Sequence, residues 1–252
     1  MIEIKNISKA FNGKVVLENV SGIFKKGETS LVIGASGTGK SVLLKCMLDL
    51  VEPESGDVFF DGREFLHISE NDRKDLRREM GVLFQGGALF DSKTVHQNIK
   101  FPLDMLTKMS EGEKNDRVEF CLHKVGLDGT GPRMPSEISG GMKKRVGIAR
   151  AIVMNPKYLF CDEPNSGLDP LTSIKIDELI KEITDDFNIT TVVITHDMNS
   201  VLSIGDNIMF LYKGKKIWEG DSTTIMTSSV KELDEFVFSN HALKKLRGEY
   251  SK

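Results

Sequence analysis

Gly34-Ala35-Ser36-Gly37-Thr38-Gly39-Lys40-Ser41 is the stretch that decides the fold class of this chain. It follows the apolar run Ser30-Leu31-Val32-Ile33 and opens into Val42-Leu43-Leu44-Lys45-Cys46-Met47-Leu48. Strand, glycine-rich turn and helix in that order fit the phosphate-binding pattern G-x-x-x-x-G-K-[ST]. Glycines let successive backbone N–H groups point at an oligophosphate where a Cβ would block the approach. The helix that starts at Lys40 adds unpaired N–H groups and the positive end of its dipole. Lys40 supplies a mobile charge for the β- and γ-phosphates, and the Ser41 hydroxyl can ligate Mg²⁺. A flexible glycine turn is the plainer reading, and the flanking strand and amphipathic helix count against it.

With 252 residues, the chain is one large domain or a core with a small satellite. A hydrophobic content of 39% and a charged content of 28% are ordinary for a globular protein. The formal net charge of −3 argues against nucleic acid as the main partner, because no basic field would hold it. Cys46, Cys121 and Cys161 are scattered, with no C-x-x-C, which suits a reducing compartment rather than a disulfide framework or a metal site. The start, Met1 to Ile7, alternates like an edge strand and lacks the layout of a signal peptide. No apolar run reaches the length of a bilayer span, so any membrane role has to come through a partner.

The opening reads as a small antiparallel β unit, with Asn12-Gly13 as a hairpin turn and Asp61-Gly62 repeating the device. Phe11 beside the first turn reads as a hairpin aromatic packed on the sheet. Near a phosphate loop it can also stack on a purine base, with Val16 flanking it. Met80 to Phe84 is a short buried strand ending on Gln85, followed by the apolar loop Gly86-Gly87-Ala88-Leu89-Phe90. From Thr94 to about Gly131 the pattern is helical and polar, with no further strand, and reads as an inserted satellite hinged near Gln85 and Pro132–Pro135. Ser139 is a good N-cap, and Gly140-Gly141 leave the next helix turn bare, which allows a second phosphate-binding helix start. The basic cluster Lys143, Lys144 and Arg145 reads as a solvated helix face.

Tyr158 to Asp162 is an apolar strand that delivers two adjacent carboxylates, Asp162 and Glu163. Burying such a pair without a cation or proton is costly. Asp162 suits a Mg²⁺ ligand, and Glu163 suits a base that polarises an attacking water. Thr190 to Thr195 is another buried strand, ending on His196, which reads as a structural histidine or as a contact to a terminal phosphate. Ile208 to Tyr212, the turn Lys213-Gly214 and Lys215 to Trp218 make the last hairpin. Beyond it, Ser229-x-x-Glu232 reads as a capping box, and the end from Lys244 to Gly248 is basic and loose.

In this order the pieces resemble the ATP-binding cassette ATPases over nearly the full chain. The resemblance implies an α/β P-loop NTPase (RecA-like) core with an antiparallel β subdomain and an inserted α-helical subdomain. Residues 1–90 and 155–225 would form the core, 91–154 the helical subdomain and 226–252 a C-terminal helical extension. Phe11 looks like the adenine-stacking aromatic and Gly34 to Ser41 like the Walker A loop. Gln85 resembles the glutamine that touches Mg²⁺ and senses the permease. Ser139-Gly140-Gly141-Met142 is similar to the signature motif, and Tyr158 to Asp162 to Walker B. Glu163 matches the catalytic glutamate, Asp169 the D-loop aspartate and His196 the switch histidine. Met142 and Ile138 replace the signature's common glutamine and leucine, but the Ser-Gly-Gly that would meet phosphate is intact.

The cofactors implied are ATP and Mg²⁺, and the partner implied is a second copy of the chain. Each ATP would lie between one copy's Walker A loop and the other's signature helix. Gln85-Gly86-Gly87-Ala88-Leu89-Phe90-Asp91-Ser92 and Ser139 to Val146 look like the ATPases of bacterial lipid transporters that work with MCE-domain proteins. That narrower resemblance implies phospholipid or another hydrophobic substrate. It also implies a permease docked near Gln85–Phe90 and the helical subdomain, and a cytoplasmic place at the inner face of the cell membrane. Two alternatives stay open: an importer ATPase for a small polar solute such as an amino acid, and a soluble cassette ATPase of the cluster-assembly type.

Overall fold

Ile2, Ile4 and Ile7 are fully buried, and the step of three between the last two marks an irregularity in the first strand. In the computed structural model, which describes residues 1–238, Asn6 sits there at φ 52° and shifts the register of β1 (Ile2–Phe11). The facing bulge in β2 (Lys14–Phe24) has Asn19 at φ 50°. The irregularity stays hydrogen-bonded: the Asn6 amide donates to Ser21 Oγ at 2.8 Å and the Asn19 amide to Ser8 Oγ at 3.0 Å. Asn12 and Gly13, both at positive φ, close the β1–β2 hairpin as the Asn-Gly pair requires.

The chain forms two units, residues 1–67 with the chain from 194 onward, and residues 68–193. In the first unit β3 (Thr29–Ile33) is buried throughout and runs into the phosphate-loop stretch and α1 (Lys40–Met47). β4 (Ser55–Phe60) pairs antiparallel with β1, and β5 (Arg63–Glu64) follows the Asp61-Gly62 turn, giving the sheet order β2-β1-β4-β5.

The second unit opens with α2 (Glu70–Arg78), an element absent from the sequence reading. Its signal is local: Ser69 accepts the Asp72 amide, acids fill the first turn, and Arg77 and Arg78 the last. Only Leu76 of α2 is buried, so there was no apolar stripe to find. Then come β6 (Met80–Leu83), α3 (Val95–Leu106), α4 (Glu111–Lys124) and α5 (Gly140–Ile152). Thr94 with Gln97, and Ser110 with Glu113, form capping boxes at α3 and α4. β7 (Tyr158–Asp162) lies parallel to β6, from Met80 opposite Tyr158 to Leu83 opposite Cys161. α6 (Pro170–Phe187) ends at Asn188 in the left-handed conformation, and β8 (Thr190–Thr195), next to β7, carries the chain out of this unit.

Back in the first unit stand α7 (Met198–Ile204), β9 (Asn207–Tyr212), β10 (Lys215–Gly220) and α8 (Lys231–Val237). β9 is parallel to β3, and β10 folds back on β9. The capping box at Ser229 does not form. α8 starts from Val230 with no side-chain cap, which puts Glu232 one position too early to reach back. The basic end from Lys244 lies outside the described residues. Among the described residues no helix is long and apolar enough to cross a membrane.

Candidate functional site

In the first unit the phosphate-loop stretch is wedged against two strands. A Cβ on Gly34 would lie 2.3 Å from the Leu211 carbonyl oxygen of β9. One on Gly39 (φ 103°) would lie 2.8 Å from the Val16 carbonyl oxygen of β2, so both positions require glycine. Ala35, Ser36 and Gly37 are exposed, whereas Thr38, Gly39 and Lys40 are buried. The loop is internally braced: Thr38 Oγ1 donates to the Ala35 carbonyl at 2.9 Å, and Lys40 Nζ to the Gly34 and Ala35 carbonyls at 2.8 and 3.0 Å. No acidic residue stands in the first turn of α1, where one would compete with a bound anion for the helix's positive end. Ser41, half-buried, is the second residue of that turn. These are the features of an anion cradle that a Cβ would fill.

Phe11 is 44% exposed at the end of β1, with Lys9 Nζ 5.2 Å from its ring centre. Val16 is half-buried and its carbonyl faces Gly39, which sets it beside the phosphate loop. His196 is exposed in the step from β8 to α7. Asp197, next to it, caps α7 by accepting the Asn199 amide at 2.9 Å.

In the second unit Asp162 ends β7, 8% exposed, and Glu163 follows at φ 49°. A non-glycine residue in the left-handed region costs about 1 kcal/mol, and such strain gathers at functional positions. The chain then turns back, with the Ser166 amide donating to the Glu163 carbonyl at 3.1 Å. Gln85 Nε2 donates to Ser166 Oγ at 3.4 Å, so the loop after β6 meets the loop after β7. Asp169 caps α6, accepting the Thr172 amide at 3.0 Å and the Thr172 hydroxyl at 2.5 Å. The hydroxyl first, then the amide, hold its carboxyl below the usual aspartate range.

Ser139 caps α5, accepting the Met142 amide at 3.3 Å, and no acid stands in that first turn either. Gly141 packs on Thr172, where a Cβ would come within 2.5 Å of its methyl group, so α5 and α6 start side by side. Of the basic cluster, Lys144 departs from the expected solvated face. It is 6% exposed, and its ammonium donates to the Gln85 carbonyl and, at 3.4 Å, to the Glu163 carbonyl. Two helical turns on, Arg150 donates to the Gly87 and Ala88 carbonyls at 2.7 and 2.8 Å. The sequence held no sign of these contacts, because the acceptors are main-chain carbonyls, 19 residues away at Glu163 and about sixty away at Gln85, Gly87 and Ala88. Buried Asn98 completes the loop: its amide group donates to the Phe90, Lys93 and Thr94 carbonyls and its oxygen accepts the Phe90 amide. Outside this loop lies a groove of about 370 Å³, mostly apolar, lined by Phe84, Ala88, Phe90, Phe101, Pro102 and Leu106 and also by Arg77, Arg78 and Arg150. Phe90 is 40% exposed and its ring meets Phe101 at 4.8 Å.

Residues 17–166 match the family model described as ABC transporter. The chain is 39% identical over 236 residues to the probable ribonucleotide transport ATP-binding protein mkl of Mycobacterium leprae, covering 94% of this chain and 68% of that one. It therefore spans about two thirds of the length of that relative. It is 36% identical over 237 residues to the intermembrane phospholipid transport system ATP-binding protein MlaF of Haemophilus influenzae, covering 94% of this chain and 90% of the other. With the methionine import ATP-binding protein MetN of Carboxydothermus hydrogenoformans it shares 43% over 228 residues, 89% of this chain and 67% of that one. Among solved structures, the dimeric post-hydrolysis state of the ATP-binding cassette MJ0796 bound to ADP and Pi superposes with a TM-score of 0.80. That match is at 31% identity and covers 88% of this chain and 99% of the other.

Proposed function

The chain belongs to the ABC transporter family and is an ATPase of the cassette type, and on that premise we propose that it is the energy-coupling subunit of a membrane transporter for phospholipid or another hydrophobic substrate. The observation that carries the transport reading is the apolar groove beside the Gln85–Phe90 loop. Large apolar rings left half-exposed around a groove suit a short amphipathic helix of a permease, with one or two rings as anchors. The hydrophobic substrate is supported by the share of the phospholipid-system relative that the chain covers, 90% against 67% of the methionine relative. The second reading, a polar-solute importer, is favoured by the higher identity to the methionine relative.

In this reading the loop Gly34–Ser41 grips the triphosphate through its N–H groups, Lys40 turns its ammonium to the β- and γ-phosphates, and Phe11 and Val16 hold the base. Mg²⁺ would neutralise the phosphate oxygens, and the hard oxygen donors Ser41, Asp162 and Gln85 suit it. Glu163 takes a proton from the attacking water, His196 contacts the terminal phosphate, and Gln85 relays the state of the docked permease. Ser139, Gly140, Gly141 and Asp169 serve the nucleotide of a second copy, which makes the working unit a head-to-tail homodimer. Residues 1–90 with 155–225 form the nucleotide-binding core in this scheme, 91–154 the helical subdomain and 226–252 an extension. The permease keeps the subunit at the inner face of the cell membrane, and an MCE-domain protein presents the substrate.

Purifying the tagged chain from detergent-solubilised membranes tests the proposal. It should bring down a polytopic membrane protein, and phospholipid should stimulate the ATPase activity of that complex. A complex stimulated by methionine and indifferent to phospholipid would establish the second reading instead. Soluble scaffold proteins in place of a membrane protein would overturn both.

A further inference from the structure

A buried ammonium is an expensive device. Lys144 is only 6% exposed, and burial pushes its pKa down, opposed by the nearby Cys161, Asp162 and Glu163. Its hydrogen bonds go to the main-chain carbonyls of Gln85 and Glu163. These are a residue of the loop two positions beyond β6 and the strained residue that follows β7. Three protons on one nitrogen can serve two carbonyls at once, which a rigid donor pair on a planar group does less freely. Around this point α5 is fitted closely to the same loop. Gly147 packs closely on β6, where a Cβ would come within 2.7 Å of the tip of the Leu83 side chain, and Arg150 holds the Gly87 and Ala88 carbonyls of the loop. The segment Gln85–Ala88 thus rides on α5 at two cationic points, and the first of them also holds Glu163.

We propose that Lys144 is a positioning residue for ATP hydrolysis: by clipping the Gln85 and Glu163 carbonyls to α5, it fixes where the Glu163 carboxylate stands and ties it to the loop that meets the permease. The proposal rests on Glu163 being the general base. A base moved by a fraction of an ångström works less well, so the loss falls on turnover and leaves ATP binding alone.

The test compares Lys144→Met, Lys144→Gln and Glu163→Gln in steady-state ATPase assays on the whole chain, with melting temperature and ATP affinity measured alongside. Lys144→Met is expected to lower kcat by about tenfold or more, with KM for ATP within about threefold of the wild type. Lys144→Gln, which keeps a shorter neutral donor, should fall between the two. A folded Lys144→Met with kcat within about twofold of the wild type, beside an inactive Glu163→Gln, would overturn the clip and leave the base assignment standing. If Glu163→Gln turns over normally, the base assignment fails and the clip with it. A fall in kcat matched by an equal loss of ATP affinity would mark Lys144 as merely structural. Should the Met variant not fold, Lys144→Gln decides alone, and a wild-type kcat there overturns the proposal.

Discussion

Glu163 shows at a single residue how strain and chemistry are tied together. Its backbone lies at φ 49°, directly after the buried Asp162, so its side chain leaves the direction the strand would give it. Only surrounding contacts hold a non-glycine residue there, and the Ser166 amide and the Lys144 ammonium both supply them. Removing the carboxylate's basicity without changing its shape should spare all of this. Glu163→Gln is expected to keep the wild-type melting temperature and ATP affinity while turnover falls by about 10²- to 10⁴-fold, measured by phosphate release. A mutant that hydrolyses ATP normally would remove Glu163 from the base role. The three cysteines make a second case. Burial pushes the Cys161 thiol up to about 12 and those of Cys46 and Cys121 up to about 11, from an ordinary 9.0. All three are free and buried, so a thiol reagent at pH 8 should leave the native protein unlabelled and label three thiols in denaturant. Because the folded state binds these protons more tightly, their contribution to stability is complete below pH 9 and is lost as pH rises through 11 to 12. Fast labelling of native protein would refute the burial.

Among the elements, α5 carries more of the second unit than its ordinary length suggests. One side starts at the Ser139 cap with bare glycines, and the other holds the loop after β6 through Lys144 and Arg150. The loop itself is shaped from within by Asn98, whose side chain replaces main-chain partners that the turn at Phe90–Thr94 does not have. That bracing leaves Phe84 and Phe90 free to stand 38% and 40% exposed, whereas Leu89 is only half-exposed and does not line the groove. The anchors for a docked helix are therefore the two aromatics. Phe90→Asp should abolish co-purification with the permease, since losing an anchor typically costs about 2 kcal/mol or more of binding. Truncating a partly exposed ring should move the melting temperature by no more than about 4 °C. A larger drop would mean that Phe90 belongs to the core, and retained co-purification would place the docking surface elsewhere.

On the scale of the whole molecule, the phosphate loop at Lys40 and the glycine-bared helix start at Ser139 lie in different units of the chain. Both helix starts lack acidic residues in the first turn, and both carry glycine there, Gly39 at the N-cap of α1 and Gly140-Gly141 at the start of α5. A head-to-tail dimer uses both starts on each nucleotide, which is the arrangement proposed above. Ser139→Arg is then expected to bind ATP as a monomer with wild-type affinity by calorimetry and to lose hydrolysis by at least about a hundredfold, as for other groups that act only in the transition state. Mixing it with Lys40→Ala subunits should restore at most one competent site per dimer. Normal hydrolysis by Ser139→Arg alone would exclude the shared site.

The sequence determined whatever is local. The glycine loop, the turns at Asn12-Gly13, Asp61-Gly62 and Lys213-Gly214, the caps at Ser139 and Asp169 and the buried runs at β3, β7 and β8 follow from residue types within a few positions. Each of these is set by steric limits on φ, by a side chain reaching its own backbone, or by continuous apolar character. Tertiary structure alone decided the rest. Lys144 reads as one more surface lysine until two distant carbonyls are brought to it, and Asn98 as a polar helix residue until a loop folds over it. The left-handed turn at Glu163 and the start of α8 at Val230 have no residue-type signal in the chain, and α2 buries too little to declare itself in a hydrophobic pattern. For Lys144 and Arg150 the physical reason is separation along the chain: a carbonyl about sixty residues away leaves no periodicity or spacing to read, and becomes a neighbour only once the fold has formed. For Asn98, whose acceptors lie four to eight residues back, it is the path of the loop that brings the carbonyls to the side chain.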